Sequence, residues 1–576
     1  MKLKKIKVAY FSMEFALDSS IPNYAGGLGV LASDIICSMA DLGIKGVGIS
    51  LLYHQSQDPQ LKFKAEKSFQ KINTQTEVYI QGRKVVLDIW KKDVRGKKGK
   101  TPIYFLSANN ENNAPQDRNL TEKIYPGDAY TKLCQEIILG MGGVKALKKL
   151  GYKTENYHMN EGHSAPLIWE LLKKPSSSSK KDNFEKTKEQ VKNLCAFTTH
   201  TPVPAGHDYF DKSLILDILK DLNEDFFGEQ KNNQKIGLTE LALEFSKARN
   251  SVSQIHRKTC AGMFPEYHFL NITNGIYHPR WVSNSIEKIL NEVSLNWKEK
   301  PEALKHSAKI IDNEDLLRAH QKEKSELIKW VNSSPDNFPI EKLQEEDYFE
   351  ENILTIGFAR RFVSYKRPDL IFENLRSLLK MCESSKKQYR LQFIFAGKCA
   401  PNDSYCNLTK EEIEDFADIF AGLPGRWAKK IKVAMIDIYN LDVAKKMVSG
   451  CDIWLNNPVP PKEASGTSGM KAALNGVLNL SIADGWWDEA YKQNPESGWI
   501  FGLKNQHPKN ARDRDTQDNQ ELLEKLSQAI DLYYNSPYLW TEMMKSSISL
   551  LSRFNTHRVV KEYEDKMWDT DQFETS

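Results

Sequence analysis

The sequence has few cysteines, no long apolar run and almost no net charge. Its eight cysteines include no Cys-x-x-Cys pair, and several lie inside apolar runs. We therefore expect reduced, buried thiols and no disulfide framework. No stretch approaches ~20 uninterrupted apolar residues, and the apolar run behind the basic start ends at Ser12 and Glu14. We expect neither a membrane span nor a signal peptide, which favours a cytoplasmic protein.

The sequence also has no large excess of positive or negative charge. Lys and Arg number 80 and Asp and Glu number 76, which leaves a formal charge of +4 on 576 residues. A balance of this kind gives no general reason to expect nucleic acid or an acidic membrane surface as a partner. The length suggests two large or three ordinary domains and is typical of an enzyme.

Short β-branched runs alternate with helical periods along the first half. "IKVAYFS" predicts a buried strand, the glycine turn 26–29 follows it, and residues 31–42 have helical spacing before "GVGISLLY". This order predicts a βαβ unit. Residues 133–150 predict a helix, "NYHMN" and "LCAFTTH" predict strands, and the alternation between Gln75 and Val94 predicts a hairpin at a sheet edge.

A second cycle of strands follows the helical, Lys- and Glu-rich residues 285–345. The predicted strands are "ILTIGFA", "LQFIFAGK", "IKVAMID", "DIWLNN" and "VLNLSIA", and the helical stretches between them are 368–384, 408–421, 442–450 and 470–476. Such alternation predicts parallel sheets covered by helices, and therefore a two-lobed α/β enzyme. Ligands in these sheets bind beyond the carboxyl ends of the strands, so polar residues there are the candidates for function.

A basic run follows the strand "ILTIGFA". Within "FARRFVSYKRPD", four cations lie in eight residues, namely Arg360, Arg361, Lys366 and Arg367. Charge runs are usually solvated surfaces. Because this run directly follows a buried strand, we interpret it as a set of cations that converge on phosphate, with Arg as a planar fork and Lys as a point charge.

Lys471 lies directly behind a run of Gly, Ser and Thr that opens a predicted helix. The P-loop pattern requires a hydroxyl residue after the lysine, and Ala472 stands there, so the run is not a P-loop. Two interpretations remain open: a helix start with an incidental lysine, or a lysine that forms a Schiff base with pyridoxal phosphate.

Histidines provide no convincing metal pattern. His158 and His163 lie five residues apart with Glu161 between them, a spacing that suits neither one helix face nor the usual zinc motifs. We expect no metal site.

Taken together, these segments resemble one family. "EASGTSGMKAALN", residues 463–475, is similar to the pyridoxal phosphate attachment motif of the α-glucan (glycogen, starch and maltodextrin) phosphorylases. Further blocks resemble that family in the same order: "YAGGLGVLASD", "HMNEGHSAP", "FTTHTPVPAGH", "NITNGIYHPRW", "RRFVSYKRP", "FAGKCAPND" and "DIYNLDVAKKMVSGCD". "SIADGWWDEAY" is closest to its compact bacterial and archaeal branch.

The resemblance implies the GT-B glycosyltransferase fold, with two Rossmann-like lobes and a catalytic cleft between them. The expected lobes are residues 1–278, on the glucan and phosphate side, and residues 279–553, which bind pyridoxal 5'-phosphate. Residues 554–576 are expected to form a helix that crosses back to the first lobe, with Val559, Tyr563 and Met567 on its apolar face.

The resemblance also implies a role for each matching residue. Lys471 would be the Schiff-base lysine, with Arg360, Thr467 and Ser468 near the cofactor phosphate and Tyr439 beside the cofactor. Arg361, Lys366 and the backbone N–H of Gly27 would hold the substrate phosphate, and Gly26 and Leu28 beside it would also bind substrate. The glucosyl subsite would be lined by Glu463, Ser465, Gly466, His200 and Asn274, with His163 and Tyr365 nearby. The catalytic set would be Lys471, Arg361, Lys366, Glu463 and His200.

The implied reaction is phosphorolysis of an α-1,4-glucan by inorganic phosphate, giving α-D-glucose 1-phosphate with retention. The phosphate of the cofactor would serve as the proton shuttle, which requires cations and a dry site. The alternatives are a nucleotide-sugar glucosyltransferase of the glycogen synthase kind and a catalytically silent glucan-binding protein. Lys471 distinguishes the first of them, because a transferase with a nucleotide donor needs no Schiff-base lysine. A homo-oligomer is possible.

Overall fold

The computed structural model describes residues 3–55, 63–173, 182–333, 337–338, 348–383, 389–397, 404–427, 429–437, 439–503, 508 and 510–569. The chain divides into two compact units. Unit 1 consists of Met1–Thr273 and Thr556–Ser576, and unit 2 consists of Asn274–Asn555. Whether these units match the predicted functional lobes stays a prediction.

The strands of unit 1 form a sheet of nine strands and a separate pair. The order in the large sheet is β11-β10-β7-β6-β1-β2-β5-β4-β3, and β8 pairs with β9. Their bounds are β1 Lys4–Phe11, β2 Gly46–Leu51, β3 Gln70–Ile80, β4 Arg83–Arg95, β5 Lys100–Ser107, β6 Tyr152–Asn160, β7 Cys195–Thr198, β8 Tyr209–Asp211, β9 Lys235–Gly237, β10 Ala248–Ser251 and β11 Leu270–Asn271. The predicted edge hairpin is confirmed, because β3 and β4 pair antiparallel at one end of the sheet.

Unit 2 contains a sheet of seven strands in the order β12-β15-β14-β13-β16-β17-β18. Neighbours pair in parallel except at β12, which pairs antiparallel with β15. Their bounds are β12 Asn337–Phe338, β13 Leu354–Ala359, β14 Leu391–Ala396, β15 Ile431–Ile436, β16 Ile453–Asn456, β17 Leu478–Ile482 and β18 Gly498–Phe501. The prediction of an α/β fold with parallel sheets is confirmed, although β18 had not been predicted.

Helices alternate with these strands. In chain order they are α1 Gly27–Leu42, α2 Ala65–Ser68, α3 Pro115–Arg118, α4 Ala129–Ile137, α5 Gly143–Lys149, α6 Leu167–Leu172, α7 Asp182–Leu194, α8 Lys212–Ile218, α9 Leu238–Glu244, α10 Gln254–Met263, α11 His278–Trp281, α12 Asn284–Val293, α13 Leu304–Ser307, α14 Asn313–Ser333, α15 Leu375–Met381, α16 Ser404–Ala421, α17 Leu441–Gly450, α18 Thr467–Leu474, α19 Gly485–Gln493, α20 Ala511–Asn535, α21 Pro537–Ser549 and α22 Thr556–Tyr563. The helix predicted at 133–150 is α4 and α5 joined by a π turn, Ile138–Gly142. Part of the predicted helical stretches, 334–336, 339–345 and 384, lies outside the described residues.

Each large sheet has a point at which the strand order reverses. In unit 1 the central strand β1 lies between β2 and β6, and in unit 2 β13 lies between β14 and β16. Parallel sheets bind ligands beyond the carboxyl ends of the strands at such a point. The loops after β1 and β6, and those after β13 and β16, are therefore the places to look for a site in each unit.

The C-terminal segment is part of the core of unit 1. Val559, Tyr563, Met567 and Trp568 are almost completely buried in one apolar cluster with residues of β1 and α1. Trp568 Nε1 donates a hydrogen bond of 3.0 Å to His158 Nδ1. The other ring nitrogen of His158 therefore carries the proton and donates to Thr198 Oγ1, 2.8 Å away. Burial lowers the pKa of His158 to about 3, so the ring is neutral and these bonds persist at physiological pH.

Cys134, Cys195, Cys260, Cys382 and Cys451 are buried thiols, as the sequence predicts. The prediction is wrong for Cys406, which is disulfide-bonded. Sequence spacing could not show this, because a disulfide depends on how closely the fold brings two backbones together.

Membrane insertion receives no support from the helices. Within the described parts of the chain, none of them combines the length and the apolar character needed to cross a bilayer.

We predict that Trp568→Ala lowers the free energy of unfolding by about 3–5 kcal/mol, because it removes a fully buried indole and leaves His158 Nδ1 without its donor. Urea unfolding followed by circular dichroism measures this loss. Lys566→Ala is the matched control, since Lys566 is exposed on the same segment and forms an ion pair with Glu562 at the surface. Equal stability of the two variants would contradict the assignment of the tail to the core.

Candidate active site

The basic residues after β13 surround one carboxylate. Arg360 donates from Nη2 to Glu463 Oε2 and from Nη1 to Asn456 Oδ1. Lys366 Nζ lies 3.8 Å from the same oxygen of Glu463, and the Lys366 side chain is only 12% exposed. Arg361 is exposed at the start of the loop. The ends of β13 and β16 thus bring three predicted site residues into one cluster.

The charges in this cluster do not balance. Burial raises the pKa of Glu463, but Arg360 and Lys366 outweigh burial and hold that pKa below its ordinary value. Burial and the neighbouring Arg360 lower the pKa of Lys366 to about 7, although Glu463 opposes the change. Burial is the main cause of this shift, and the positive charge of Arg360 adds to it. An anion such as phosphate would restore the balance.

Arg367 does not join this cluster, so the prediction that all four cations converge is wrong. Its guanidinium donates to the carbonyl oxygens of Asn457 and Pro458, at 3.0 Å each, and its Nη1 contacts Asp515 and Asp518 at 2.7 Å each. The backbone of Arg367 is left-handed, with φ of 45°. This conformation ends the turn that carries Lys366, and the ion pairs of Arg367 are already complete.

The loop after β16 leads into α18. Gly466 has φ of 82° and caps this helix, so the N–H groups of Thr467 and Ser468 lie in its first turn. Such N–H groups favour anions. Nearby, Ser465 Oγ and Arg360 Nε are buried and have no hydrogen-bond partner within the described residues. Ser468 Oγ accepts from Trp454 Nε1 at 3.2 Å.

Lys471 is buried on α18, with 7% of its surface exposed. Its Nζ lies 3.9 Å from the centre of the Trp281 ring, within the range of a cation–π interaction. Asn475 fixes this arrangement, since its Nδ2 donates to the carbonyl oxygens of both Trp281 and Lys471 at 2.9 Å. Lys471 is therefore packed inside unit 2, and the choice between an incidental lysine at a helix start and a Schiff-base lysine stays a prediction. Trp281 had not been predicted, because its role depends on packing.

Three further predicted residues lie in unit 2. Tyr439 follows β15 and donates to the carbonyl oxygen of Ala359 at 3.4 Å. Tyr365 lies in the basic loop, where its carbonyl oxygen accepts from the N–H of Val459 at 2.6 Å, and burial raises the pKa of its hydroxyl. Asn274 is buried at the first position of the unit.

In unit 1, the glycine turn before α1 is organised by a buried carboxylate that sequence reasoning missed. Glu14 Oε2 accepts hydrogen bonds from the N–H groups of Ala25, Gly26 and Gly29, at 2.9, 3.2 and 3.3 Å. A Cβ at Gly29 would lie 2.7 Å from Glu14 Cβ, so only glycine allows this approach. Gly27 is exposed and Leu28 is half-buried beside it.

His200 follows β7 and has a defined orientation. Its backbone N–H donates to Glu161 Oε1, and its Nε2 lies 2.8 Å from Asn160 Oδ1, which makes Nε2 the protonated nitrogen. Burial lowers the pKa of His200 to about 3, so the ring is neutral. Burial also raises the pKa of Glu161 to about 7, against the effect of the His200 N–H.

His163 follows β6 and contacts an acidic pair. Its Nε2 lies 3.4 Å from Asp208 Oδ2, and Glu136, His163 and Asp208 place one possible ligand atom each within 4.8 Å of one another. Lys132 forms an ion pair with Asp208 and already supplies a positive charge there. The absence of a metal site stays a prediction.

Comparison with known proteins identifies a family model and several relatives that match this chain. The family model described as carbohydrate phosphorylase matches residues 134–532. Maltodextrin phosphorylase of Thermococcus litoralis is 34% identical over 97% of this chain and 70% of its own length. Glycogen phosphorylase of Aquifex aeolicus is 32% identical over 98% of this chain and 86% of its own length. Glycogen phosphorylase of Mycobacterium tuberculosis is 29% identical over 96% of this chain and 70% of its own length.

We predict that Lys366→Met raises the free energy of unfolding, and more at low pH than at high pH. The pKa of Lys366 falls from the ordinary 10.5 to about 7 on folding, so the unfolded chain binds more protons between these values. The native protein therefore gains stability as pH rises from 7 to 10.5, and the variant lacks this gain. In urea titrations, the free energy of unfolding of the variant should exceed that of the wild type most near pH 6 and less near pH 9.

Lys492→Met is the control for that comparison, because Lys492 is 70% exposed and pairs with Asp488. Its effect on unfolding should change little with pH. If the effect of Lys366→Met on the free energy of unfolding did not change with pH, burial of the charged Lys366 would not destabilise the folded chain.

Proposed function

Because the chain belongs to the carbohydrate phosphorylase family, we propose that it is an α-1,4-glucan phosphorylase. It would cleave the non-reducing end of glycogen, starch or maltodextrin with inorganic phosphate and release α-D-glucose 1-phosphate with retention. The observation that carries this proposal is the group of cations around Glu463, in which Arg360 and Lys366 are largely buried and Arg361 is exposed at the start of the same loop. Such a cluster suits a reaction with phosphate as substrate.

The residues of unit 2 fit pyridoxal 5'-phosphate as cofactor. Lys471 is buried and would hold the aldehyde covalently, with Tyr439 beside the ring. Arg360 Nε and Ser465 Oγ offer buried polar atoms without partners in the described chain, and the N–H groups at the start of α18 add donors next to Thr467 and Ser468. Together they supply the donors that a phosphate tail requires.

When bound, the cofactor supplies a phosphate that exchanges a proton with the substrate phosphate. The protein would make this possible by holding two phosphates close together, which needs cations against their repulsion. Arg361 and Lys366 would bind the substrate phosphate. Since Lys366 has a pKa of about 7, a phosphate dianion beside it would favour the charged form of the lysine.

The sugar would be oriented by neutral or hydrogen-bonding groups. In unit 2 we propose Glu463, Ser465, Gly466, Asn274 and Tyr365 for this role, and in unit 1 we propose the turn of Gly26, Gly27 and Leu28 together with His163 and His200. His200 is neutral at physiological pH, so it would form hydrogen bonds to hydroxyls without adding charge. Glu463 would bind sugar hydroxyls once phosphate balances the nearby cations.

The alternatives are less well supported. A nucleotide-sugar glucosyltransferase would not require a lysine buried against Trp281 behind a helix N-terminus. A silent glucan-binding protein would not need to keep Lys366 buried at the cost that its lowered pKa implies. A homo-oligomeric state and a cytoplasmic location stay predictions.

The direct test is phosphate-dependent release of glucose 1-phosphate from maltodextrin by the purified protein supplied with pyridoxal phosphate. Lys471→Arg should abolish both the release and the covalent label left by borohydride reduction, because arginine keeps the charge but cannot bind the aldehyde. Release of glucose 1-phosphate by wild type, with neither label nor activity in the variant, supports the proposal. An undiminished label in Lys471→Arg would refute the assignment of Lys471.

We predict that Arg361→Ala weakens the binding of inorganic phosphate far more than the binding of glucan. A charge-assisted hydrogen bond to phosphate contributes about 1.5–3 kcal/mol, which corresponds to roughly a ten- to a hundredfold rise in the KM for phosphate. Arg376→Ala, an exposed arginine in α15, is the control and should leave both KM values unchanged. An equal rise in both KM values for Arg361→Ala would contradict a specific phosphate contact.

A further inference from the structure

Asp484 lies between β17 and α19 and is 1% exposed. Its two carboxylate oxygens are used separately. Oδ2 accepts from the backbone N–H of Glu463 at 2.9 Å, and Oδ1 accepts from the N–H of Gly485 at 2.8 Å, which caps α19. One buried carboxylate thus joins the turn that begins α19 to the backbone of a proposed site residue.

A second bond runs between the same two turns in the opposite direction. The N–H of Trp486 donates to the carbonyl oxygen of Ser465 at 2.8 Å. The turns are also in close contact at Gly485, whose φ is 54° and where a Cβ would lie 2.4 Å from the Ser465 carbonyl oxygen. Residues 463–465 are therefore fixed against residues 484–486 at three points.

This attachment determines where Glu463 can place its side chain. Glu463 contacts Arg360 and lies 3.8 Å from Lys366, while its backbone N–H is held by Asp484 at the end of β17. The loop before it, from Asn457 to Lys462, includes no regular element that could do this. Without the Asp484 bond, the Glu463 N–H would lose its acceptor and the Glu463 backbone would be held less firmly.

We propose that Asp484 is a positioning residue for Glu463, which acts by fixing the Glu463 backbone and not by touching substrate. This inference rests on the proposed phosphorolysis, in which Glu463 orients the sugar. It predicts that loss of the Oδ2 acceptor lowers turnover while the cofactor remains bound at Lys471.

Asp484→Asn is the sharpest variant. Asparagine caps helices as well as aspartate does, so α19 keeps its cap. Its amide has only one oxygen, so one of the two N–H groups loses its acceptor and faces an NH2 group instead. We expect kcat to fall about ten- to a hundredfold, the usual range for loss of an orienting partner, with cofactor content unchanged and little change in the KM for phosphate.

Asp488→Asn is the matched control. Asp488 lies one turn further along α19 and accepts a hydrogen bond of 2.8 Å from Lys492 Nζ. It should retain wild-type kcat. If Asp484→Asn fails to fold, Asp484→Ser repeats the test, because serine also caps the helix but is too short to reach the Glu463 N–H.

The decisive readout is a double-mutant cycle with Glu463→Gln. A residue that acts only through Glu463 should have little further effect once that carboxylate is gone, whereas a general structural defect would add to the loss. Additive losses, an unchanged kcat in Asp484→Asn, or failure of both Asp484 variants to fold would overturn the inference. Absence of phosphorolysis in the wild type would instead refute the proposed function, so the two failures are distinguishable.

Discussion

Positive charges outnumber negative ones in the cluster at the end of β13. Among the described residues, Arg360 and Lys366 lie beside the Glu463 carboxylate, and Arg361 follows Arg360 at the start of the same loop. Burial and the neighbouring Arg360 lower the pKa of Lys366 to about 7. A chain selected for stability alone would replace such a lysine. We propose that a ligand brings the negative charge that this cluster lacks.

The loops around this cluster are held by polar side chains that do not themselves belong to it. Arg367 fastens the basic loop to the carbonyl oxygens of Asn457 and Pro458, Asn475 joins Trp281 to Lys471, and Asp484 holds Glu463. Each of these three side chains is buried, so water competes little for its hydrogen bonds. This arrangement lets like charges stay close together before any ligand binds, which is the preorganisation that electrostatic catalysis requires.

The sequence predicted the parts that depend on local pattern. The strands before Arg360 and the helix at Lys471 follow from apolar runs and from a glycine-rich helix start, and the parallel order of strands follows from their alternation with helices. It did not predict the direction of Arg367, the position of Trp281 or the role of Glu14. Each of these depends on contacts between segments far apart in the chain, and Arg367 also on a left-handed backbone that its neighbours do not reveal.

The central claim is that phosphate supplies the charge missing around Lys366. Calorimetric titration of the cofactor-loaded protein with inorganic phosphate, near pH 8 and in buffers of different ionisation enthalpy, tests it most directly. At that pH Lys366 is largely neutral and phosphate is a dianion, so binding should draw close to one proton from the buffer, and Lys366→Met should remove this uptake. Phosphate binding without proton uptake in the wild type would contradict the account.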